Sequence, residues 1–227
     1  MVVIGLEVGL SLVWLMASPS GKLSLQDWLA ATPENVFHRH RVWTLATGVF
    51  LEPQFIQLVL HAVVMWSFVP TLERFWGTAR FYRFFALTSL AGTIVGTTVG
   101  LLLGQDGNAI TGLDPFIWAT IVAFGIVYAK QPVQLFGVMP LTGRQLMYGF
   151  LAFVTLLVVL EQMWANGAAF AAAMLVATAL TAKRWSPLLA WKRSRIAKAR
   201  KQLTVLEGGA GRPPGSKPPR DEHKWLN

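Results

Sequence analysis

The sequence predicts an all-α membrane protein with six transmembrane helices, because it combines long uncharged runs with a low overall charge content. Hydrophobic residues make up 54% of the 227 positions, whereas charged residues make up only 14%. Residues 53–72 and 84–105 contain no charged side chain over 20 and 22 positions, respectively. A helix of about 20 apolar residues crosses a hydrocarbon core about 30 Å thick. Both runs are therefore typical of membrane helices rather than of a soluble domain.

Six apolar runs give the predicted helices in chain order. The first, residues 2–17, contains a single charged side chain, Glu7, and a signal peptide is disfavoured because no basic segment precedes it. The other five runs are residues 55–72, 84–103, 116–129, 145–160 and 162–182. They predict a membrane domain over residues 1–183, then a basic juxtamembrane segment, 184–207, and a tail rich in Gly, Pro and charge, 208–227, in which disorder is expected.

The net charge of +9 indicates contact with a membrane surface rather than with nucleic acid. Eight of the 20 Lys and Arg residues lie within residues 183–201, directly after the last apolar run. A basic block in this position is typical of a cytoplasmic end that lies on anionic lipid. The lipid bilayer is thus an expected partner and nucleic acid is not. The chain has no cysteine, which excludes disulfides and Cys-ligated metals.

The charges of the connections predict the orientation. The turns after the second and fourth helices, residues 74–83 and 130–144, are basic, whereas those after the third and fifth carry only Asp106 and Glu161. Lys and Arg are enriched on the cytoplasmic side of membrane proteins. We therefore expect both termini in the cytoplasm, in an integral protein of a bacterial inner membrane.

The connection between the first two helices, residues 21–52, is expected to be a folded element at the membrane interface. An unstructured loop of this length is uncommon in a compact domain, and Trp28 and Trp43 suit the depth of the lipid headgroups. His38 and His40 lie on a basic segment and are expected to face headgroups or solvent. No metal or cofactor site is predicted in the chain.

Glycines form a regular stripe on the third helix. Gly92, Gly96, Gly100 and Gly104 recur at every fourth position, which places them on one face of a helix. Small residues on one face let a neighbouring helix approach closely. We therefore predict a tight helix–helix contact along this stripe, with a packing role rather than a direct functional one.

Asp114 is the residue around which the functional prediction is built. The run from 115 to 129 has 15 uncharged residues, about 23 Å of helix at about 1.5 Å per residue, which is shorter than the hydrocarbon core. If Lys130 lies at one membrane face, Asp114 lies below the other, and an acid at such a depth is a functional-site hypothesis. Asp is also a preferred N-cap before Pro115, and the two roles are compatible.

Several landmarks occur in an order that resembles the rhomboid family of intramembrane serine proteases. They are Val42-Trp43-Thr44, Leu72-Glu73-Arg74-Phe75-Trp76-Gly77, Gly112-Leu113-Asp114-Pro115, Leu135-Phe136-Gly137-Val138-Met139-Pro140 and Ala165-Asn166-Gly167-Ala168-Ala169. The resemblance covers residues 43–182. It implies a rhomboid-like bundle of six transmembrane helices with an interfacial first loop.

The same comparison implies that the protease chemistry is missing. Asp114 stands where the family has its nucleophilic Ser, and Ala169 stands where it has its general-base His. Gln57 and His61 match the positions of the oxyanion-hole His and Asn, and Thr44 replaces an Arg of the first loop. Acyl transfer by Ser needs both a hydroxyl and a base. The resemblance therefore indicates a catalytically inactive pseudoprotease.

A polar pocket is predicted from Asp114, His61, Gln57 and Asn166. Because the second and fourth helices adjoin in the rhomboid fold, the resemblance implies a hydrogen bond between Asp114 and His61. Gln57 and His61 are one turn apart on the second helix, so their side chains share a face. The predicted function is the binding of transmembrane segments of client or partner proteins, for their stabilisation or quality control. Two alternatives remain open: an intramembrane hydrolase of the rhomboid type and a structural subunit of a membrane complex.

Overall fold

The computed structural model describes residues 2–135 and 139–182, and most of these residues are helical. The helices are α1 Val2–Met16, α2 Pro19–Leu29, α3 Thr44–Thr47, α4 Phe55–Trp76, α5 Thr78–Leu102, α6 Asp114–Val127, α7 Gly143–Leu160 and α8 Trp164–Thr181. A π-helical turn lies at Glu34–His38 and a 3-10 turn at Gly48–Phe50. The predicted segments 184–207 and 208–227 lie outside the described residues.

Four helices in the described part of the chain are long and apolar enough to cross a membrane. They are α4, α5, α7 and α8, with 22, 25, 18 and 18 residues. The two other apolar helices are shorter, since α1 has 15 residues and α6 has 14. Four candidate spans fit an integral membrane protein, whereas the prediction of six spans is not confirmed.

The basic turn predicted at residues 74–83 is mostly helical, which corrects the bounds of the second and third helices. Helix α4 continues to Trp76 and α5 starts at Thr78, so that Gly77 alone separates them. Gly77 has a φ of 79°, a left-handed conformation that glycine adopts readily. The length of an apolar run predicts only the part of a helix that faces lipid. Both helices continue past their apolar runs into segments that contain polar residues.

The turn predicted at residues 130–144 contains a short β-hairpin, which the sequence analysis does not predict. Strands β1 (Pro132–Leu135) and β2 (Met139–Thr142) pair in antiparallel register. Helix α7 then starts at Gly143 rather than at residue 145. Thr142 caps it, because its hydroxyl accepts from the backbone N–H of Gln145 while the Gln145 side chain accepts from the backbone N–H of Thr142.

The first loop is folded, as the sequence predicts. Trp28 and Trp43 stack with ring centroids 6.1 Å apart, and the Trp43 indole donates a hydrogen bond of 3.1 Å to the Trp28 carbonyl. The Arg41 guanidinium lies 4.7 Å from the Trp28 ring centroid and also forms an ion pair with Asp27. Both indoles are exposed, and their depth in a membrane stays a prediction.

The glycine stripe of α5 forms a close contact with α8. A Cβ at Gly92 would lie 3.2 Å from the Ala169 carbonyl oxygen, and one at Gly96 would lie 2.8 Å from the Ala169 methyl. Gly100 faces Pro33 of the first loop. Gly104 does not take part, because α5 ends at Leu102 and nothing lies within 4 Å of a Cβ at this position. The helix turns away before the fourth glycine, so its predicted packing role is wrong.

Helix α6 lies in the middle of the bundle and contacts α4, α5, α7 and α8. Its Phe116 is fully buried, and the ring packs edge-on against Phe81, Phe84 and Phe85 of α5. Aromatic rings prefer such edge-to-face arrangements. This packing fixes the first turn of α6, and with it the position of Asp114.

Candidate functional site

The structure brings three of the predicted polar residues together between α4 and α6. Gln57 and His61 lie one turn apart on α4, and Asp114 is the first residue of α6. His61 Nε2 lies 2.9 Å from Asp114 Oδ1, and Gln57 Nε2 donates to the same oxygen at 3.0 Å. The expected hydrogen bond between His61 and Asp114 is therefore present.

Two acids that the sequence prediction left out of the pocket complete the cluster. Glu7 of α1 is fully buried, and its Oε1 lies 2.7 Å from His61 Nδ1. Glu52, in the segment before α4, has its Oε2 4.0 Å from the same nitrogen. We call Glu7, Glu52, His61 and Asp114 the acid–histidine cluster. A lone acid in an apolar helix needs a polar partner. The isolated position of Glu7 in its apolar run therefore indicates that it contacts a polar group.

The connecting segments hold Glu52 in place. Its backbone N–H donates to the Ser11 hydroxyl at 2.9 Å, and its Oε1 accepts from the Gln54 backbone N–H at 3.0 Å. Gly112 has a φ of 75°, and a Cβ there would collide with Glu52 Oε2. Glycine at position 112 therefore provides both the left-handed backbone and the space that the carboxylate occupies.

Asp114 does not cap its helix, which corrects the predicted N-cap role. The cap position is Leu113, with φ −79° and ψ 5°, and no side chain accepts a hydrogen bond there. An N-cap side chain normally projects from an extended backbone, whereas Asp114 already has a helical position. Its carboxylate points across to α4 and accepts from Gln57 instead of from its own helix.

A family model described as eukaryotic integral membrane protein (DUF1751) matches residues 1–182, a range that includes the whole acid–histidine cluster. The chain belongs to this family. No curated protein matches it. The description of the DUF1751 family agrees with the predicted membrane class, but it names neither rhomboids nor a bacterial inner membrane, so both remain predictions.

Asn166, the fourth predicted member of the pocket, bonds elsewhere in this DUF1751 protein. Its Oδ1 accepts a hydrogen bond of 2.9 Å from Asn108 Nδ2, in the loop between α5 and α6. Among the described residues, no hydrogen bond links Asn166 to the acid–histidine cluster. Its position at the start of α8 places it beside this loop rather than beside α4, which separates it from the predicted pocket.

The acid–histidine cluster is rich in negative charge. Three carboxylates surround one imidazole, and within residues 2–135 and 139–182 no Lys or Arg forms an ion pair with any of them. Burial raises the pKa of Glu52 to about 7, and the neighbouring carboxylates of Asp114 and Glu7 act in the same direction. A buried charge is costly unless it is paired, so this DUF1751 protein must neutralise part of the cluster.

Three of these side chains are close enough to hold one cation, although the sequence predicted no metal site. Glu52, His61 and Asp114 each offer a ligand atom, and these atoms lie within 4.8 Å of one another. Carboxylate oxygen and imidazole nitrogen are common ligands of divalent transition metals. Glu52 lies outside the predicted helices, so the sequence pattern does not place it beside His61 and Asp114.

Proposed function

We propose that this protein binds transmembrane segments of other membrane proteins at Asp114, without protease activity. One observation carries the proposal: the Asp114 carboxylate is fixed by Gln57 and His61, yet 23% of its side chain remains exposed. An acceptor that is both fixed and accessible can take a hydrogen bond from an incoming segment. The alternatives, a hydrolase and a structural subunit, become outcomes of the test.

The short length of α6 supports a site within the apolar layer. Its 14 residues span about 21 Å at about 1.5 Å per residue, compared with a core about 30 Å thick. With the end of α6 at one membrane face, its beginning lies below the other face. A client helix that unwinds at this depth needs partners for its backbone N–H groups, and the Asp114 carboxylate is an acceptor for them.

The surroundings of Ala169 support the absence of serine-protease chemistry. If the fold is rhomboid-like, Asp114 and Ala169 occupy the positions of the nucleophile and the base. Ala169 is fully buried. Its methyl group packs against Gly96 so closely that a Cβ added at Gly96 would lie only 2.8 Å away. An imidazole at residue 169 would not fit without moving α5 away from α8. In this proposal, the position has become part of a helix contact.

The proposal includes a six-span topology in which α1 and α6 are short spans and both termini face the cytoplasm. It also includes contact between residues 184–207 and anionic lipid, because a basic segment is attracted to such a surface. Reporter fusions at residues 78 and 106 test the topology. We expect the first on the cytoplasmic side and the second on the opposite side, and the reverse result contradicts it.

Site-specific crosslinking in cells tests client binding. A photoreactive residue replaces Phe55, which is exposed in the first turn of α4, two positions before Gln57 in the chain. A matched probe replaces Leu175, exposed on α8. We expect a client membrane protein to be captured from position 55, and capture to fall at least about fivefold when Asp114→Ala is added. Asp106→Ala, at an exposed acid, is the control.

Four results would contradict the proposal. Equal capture from positions 55 and 175 indicates nonspecific contact, and capture that survives Asp114→Ala removes the role of the carboxylate. A partner that co-purifies in equal stoichiometry with the wild type and with Asp114→Ala favours a structural subunit. Cleavage of a transmembrane substrate that is lost in Asp114→Asn favours a hydrolase.

A further inference from the structure

The acid–histidine cluster has the composition and spacing of a metal site that uses side chains from three segments. Glu52, His61 and Asp114 each offer one ligand atom within 4.8 Å of the other two. The shortest of these contacts joins His61 Nε2 to Asp114 Oδ1 at 2.9 Å, and Glu52 Oε2 lies 4.0 Å from His61 Nδ1. Ligand atoms that share an ion at about 2.0–2.2 Å lie about 3–4 Å from one another. Only small movements of the side chains are needed to bring all three atoms to one ion.

We infer that Glu52, His61 and Asp114 bind one divalent first-row transition-metal ion, with Glu7 orienting the imidazole. This inference goes beyond client binding and does not depend on it. The set of oxygen ligands with one imidazole suits Zn²⁺, Mn²⁺ or Fe²⁺ better than soft ions such as Cu(I), which prefer sulfur ligands. Zn²⁺ and Mn²⁺ are therefore the probes for the experiment.

The contact between Glu7 and His61 supports this assignment independently of the ligand spacing. A histidine that binds a metal through one ring nitrogen usually donates its other N–H to a carboxylate, which fixes the tautomer and the ring orientation. Here Glu7 Oε1 lies 2.7 Å from Nδ1, which leaves Nε2 directed towards Asp114. The fully buried Glu7 thus occupies the position of an orienting acid.

Charge gives a third reason. Glu7 is 0% exposed, and among the described residues its Oε2 has no hydrogen-bond partner. A divalent cation held by these side chains would offset the negative charge of the carboxylates and give the buried acids a charged partner. Asp114, whose side chain is 23% exposed, is the proposed ligand that an incoming ion can contact first.

Metal analysis of the purified full-length protein tests the inference. The protein carries no polyhistidine tag, is purified in detergent, and is measured by mass spectrometry of its metal content. After removal of metal with a chelator, Zn²⁺ and Mn²⁺ are titrated back in competition with a metal-binding dye. We expect about one ion per chain, and at least a tenfold loss of affinity in Glu52→Gln and in Asp114→Asn.

Matched variants separate the cluster from other sources of binding. Glu73→Gln and Asp106→Asn remove acids outside the cluster, and His38→Ala removes an exposed histidine; all three should keep wild-type affinity. Glu7→Gln should weaken binding by about 10–100-fold, the range for loss of an orienting partner. Size-exclusion profiles and melting temperatures show whether each variant is folded.

The inference is overturned if the folded wild type contains no metal and shows no saturable binding of Zn²⁺ or Mn²⁺. That result means that protons, not a cation, neutralise the cluster. It is also overturned if Glu52→Gln and Asp114→Asn are folded and bind as tightly as the wild type. Client capture from position 55 is measured separately and should persist in Glu52→Gln, so that failure of one hypothesis is distinguishable from failure of the other.

Discussion

Two junctions hold the helices together by opposite means. Where α5 meets α8, Gly92 and Gly96 bring the backbones close around the buried Ala169. Where α1, α4 and α6 meet, Glu7, His61 and Asp114 form a chain of hydrogen bonds. Among the described residues, one side-chain hydrogen bond joins α5 to α8, from Arg80 to the Leu180 carbonyl near the end of α8. The second junction depends on charged groups.

The difference shows that close packing and polar contacts have separate roles in specifying a membrane fold. Lipid tails are as apolar as the helix surfaces, so small residues act by allowing close van der Waals contact. Exposing a charged group to lipid costs much more free energy than exposing an apolar side chain. The α5–α8 junction therefore determines how closely helices approach, whereas the acid–histidine cluster determines which helices are neighbours.

Loss of His61 should have the largest effect. His61→Ala removes the shared partner of Glu7 and Asp114 and leaves two carboxylates without it, and breaking a buried pair costs about 3–5 kcal/mol. Denaturant unfolding in detergent measures the change in the free energy of unfolding. His38→Ala, at an exposed histidine, is the control, and an equal effect of both substitutions contradicts this role of the cluster.

Asp114→Ala should be the next most damaging change. It removes the acceptor of both Gln57 and His61, and a hydrogen bond to a charged group contributes about 1.5–3 kcal/mol. Asp114→Asn should cost less, because its amide oxygen still accepts a hydrogen bond. A double-mutant cycle with His61→Ala should give a coupling energy above about 0.5 kcal/mol, and strictly additive effects are evidence against a direct interaction.

Gly92→Ala tests the other junction. The new methyl group would lie 3.2 Å from the Ala169 carbonyl oxygen of α8 and 2.5 Å from the Pro115 Cβ of α6. Such overpacking costs about 1–3 kcal/mol. Gly149→Ala in α7 is the matched control, because nothing lies within 4 Å of a Cβ there. The control should be neutral or stabilising by up to about 1 kcal/mol. If both substitutions have the same effect on unfolding, close approach at Gly92 is not important.

The smallest effect is expected in the first loop, at Asp27. Its hydrogen bond from Arg41, together with the charge of Arg39, holds the pKa of Asp27 below its usual value, about 3.9. The resulting stabilisation is present above that usual value and is lost as the pH falls through the lower pKa of the folded state. Asp27→Asn should slightly lower the melting temperature at pH 7, with a smaller difference at the lowest pH at which the protein stays folded. A difference independent of pH is inconsistent with this explanation.

The junction built on small residues was the more predictable one. A repeat of glycines at every fourth position is visible along the sequence, and three of the four predicted positions face neighbours in the structure. Gly104 fails because a repeat does not show where the helix ends, and α5 ends at Leu102. Periodicity therefore predicted the face of the contact but not its length.

The acid–histidine cluster was only half predictable. The hydrogen bond between Asp114 and His61 could be expected from the resemblance, because the second and fourth helices adjoin in a rhomboid-like fold. Glu7 is 54 positions from His61 along the chain, and Glu52 lies in an irregular segment, so neither has a periodic relation to the others. Asn166 was assigned to the pocket by its place in a motif, and its actual partner is Asn108.

The sequence by itself determined the membrane class, the approximate helices and the isolated polar groups, because apolar length and charge are local properties of the chain. Only the tertiary structure decided which of those groups meet. Glu7, Glu52, His61 and Asp114 come from four segments, and their distances depend on how α1, α4 and α6 cross. The same holds for Ala169, because the sequence does not predict its close contact with Gly92 and Gly96. Contacts between distant segments follow from packing in three dimensions, and local patterns do not encode them.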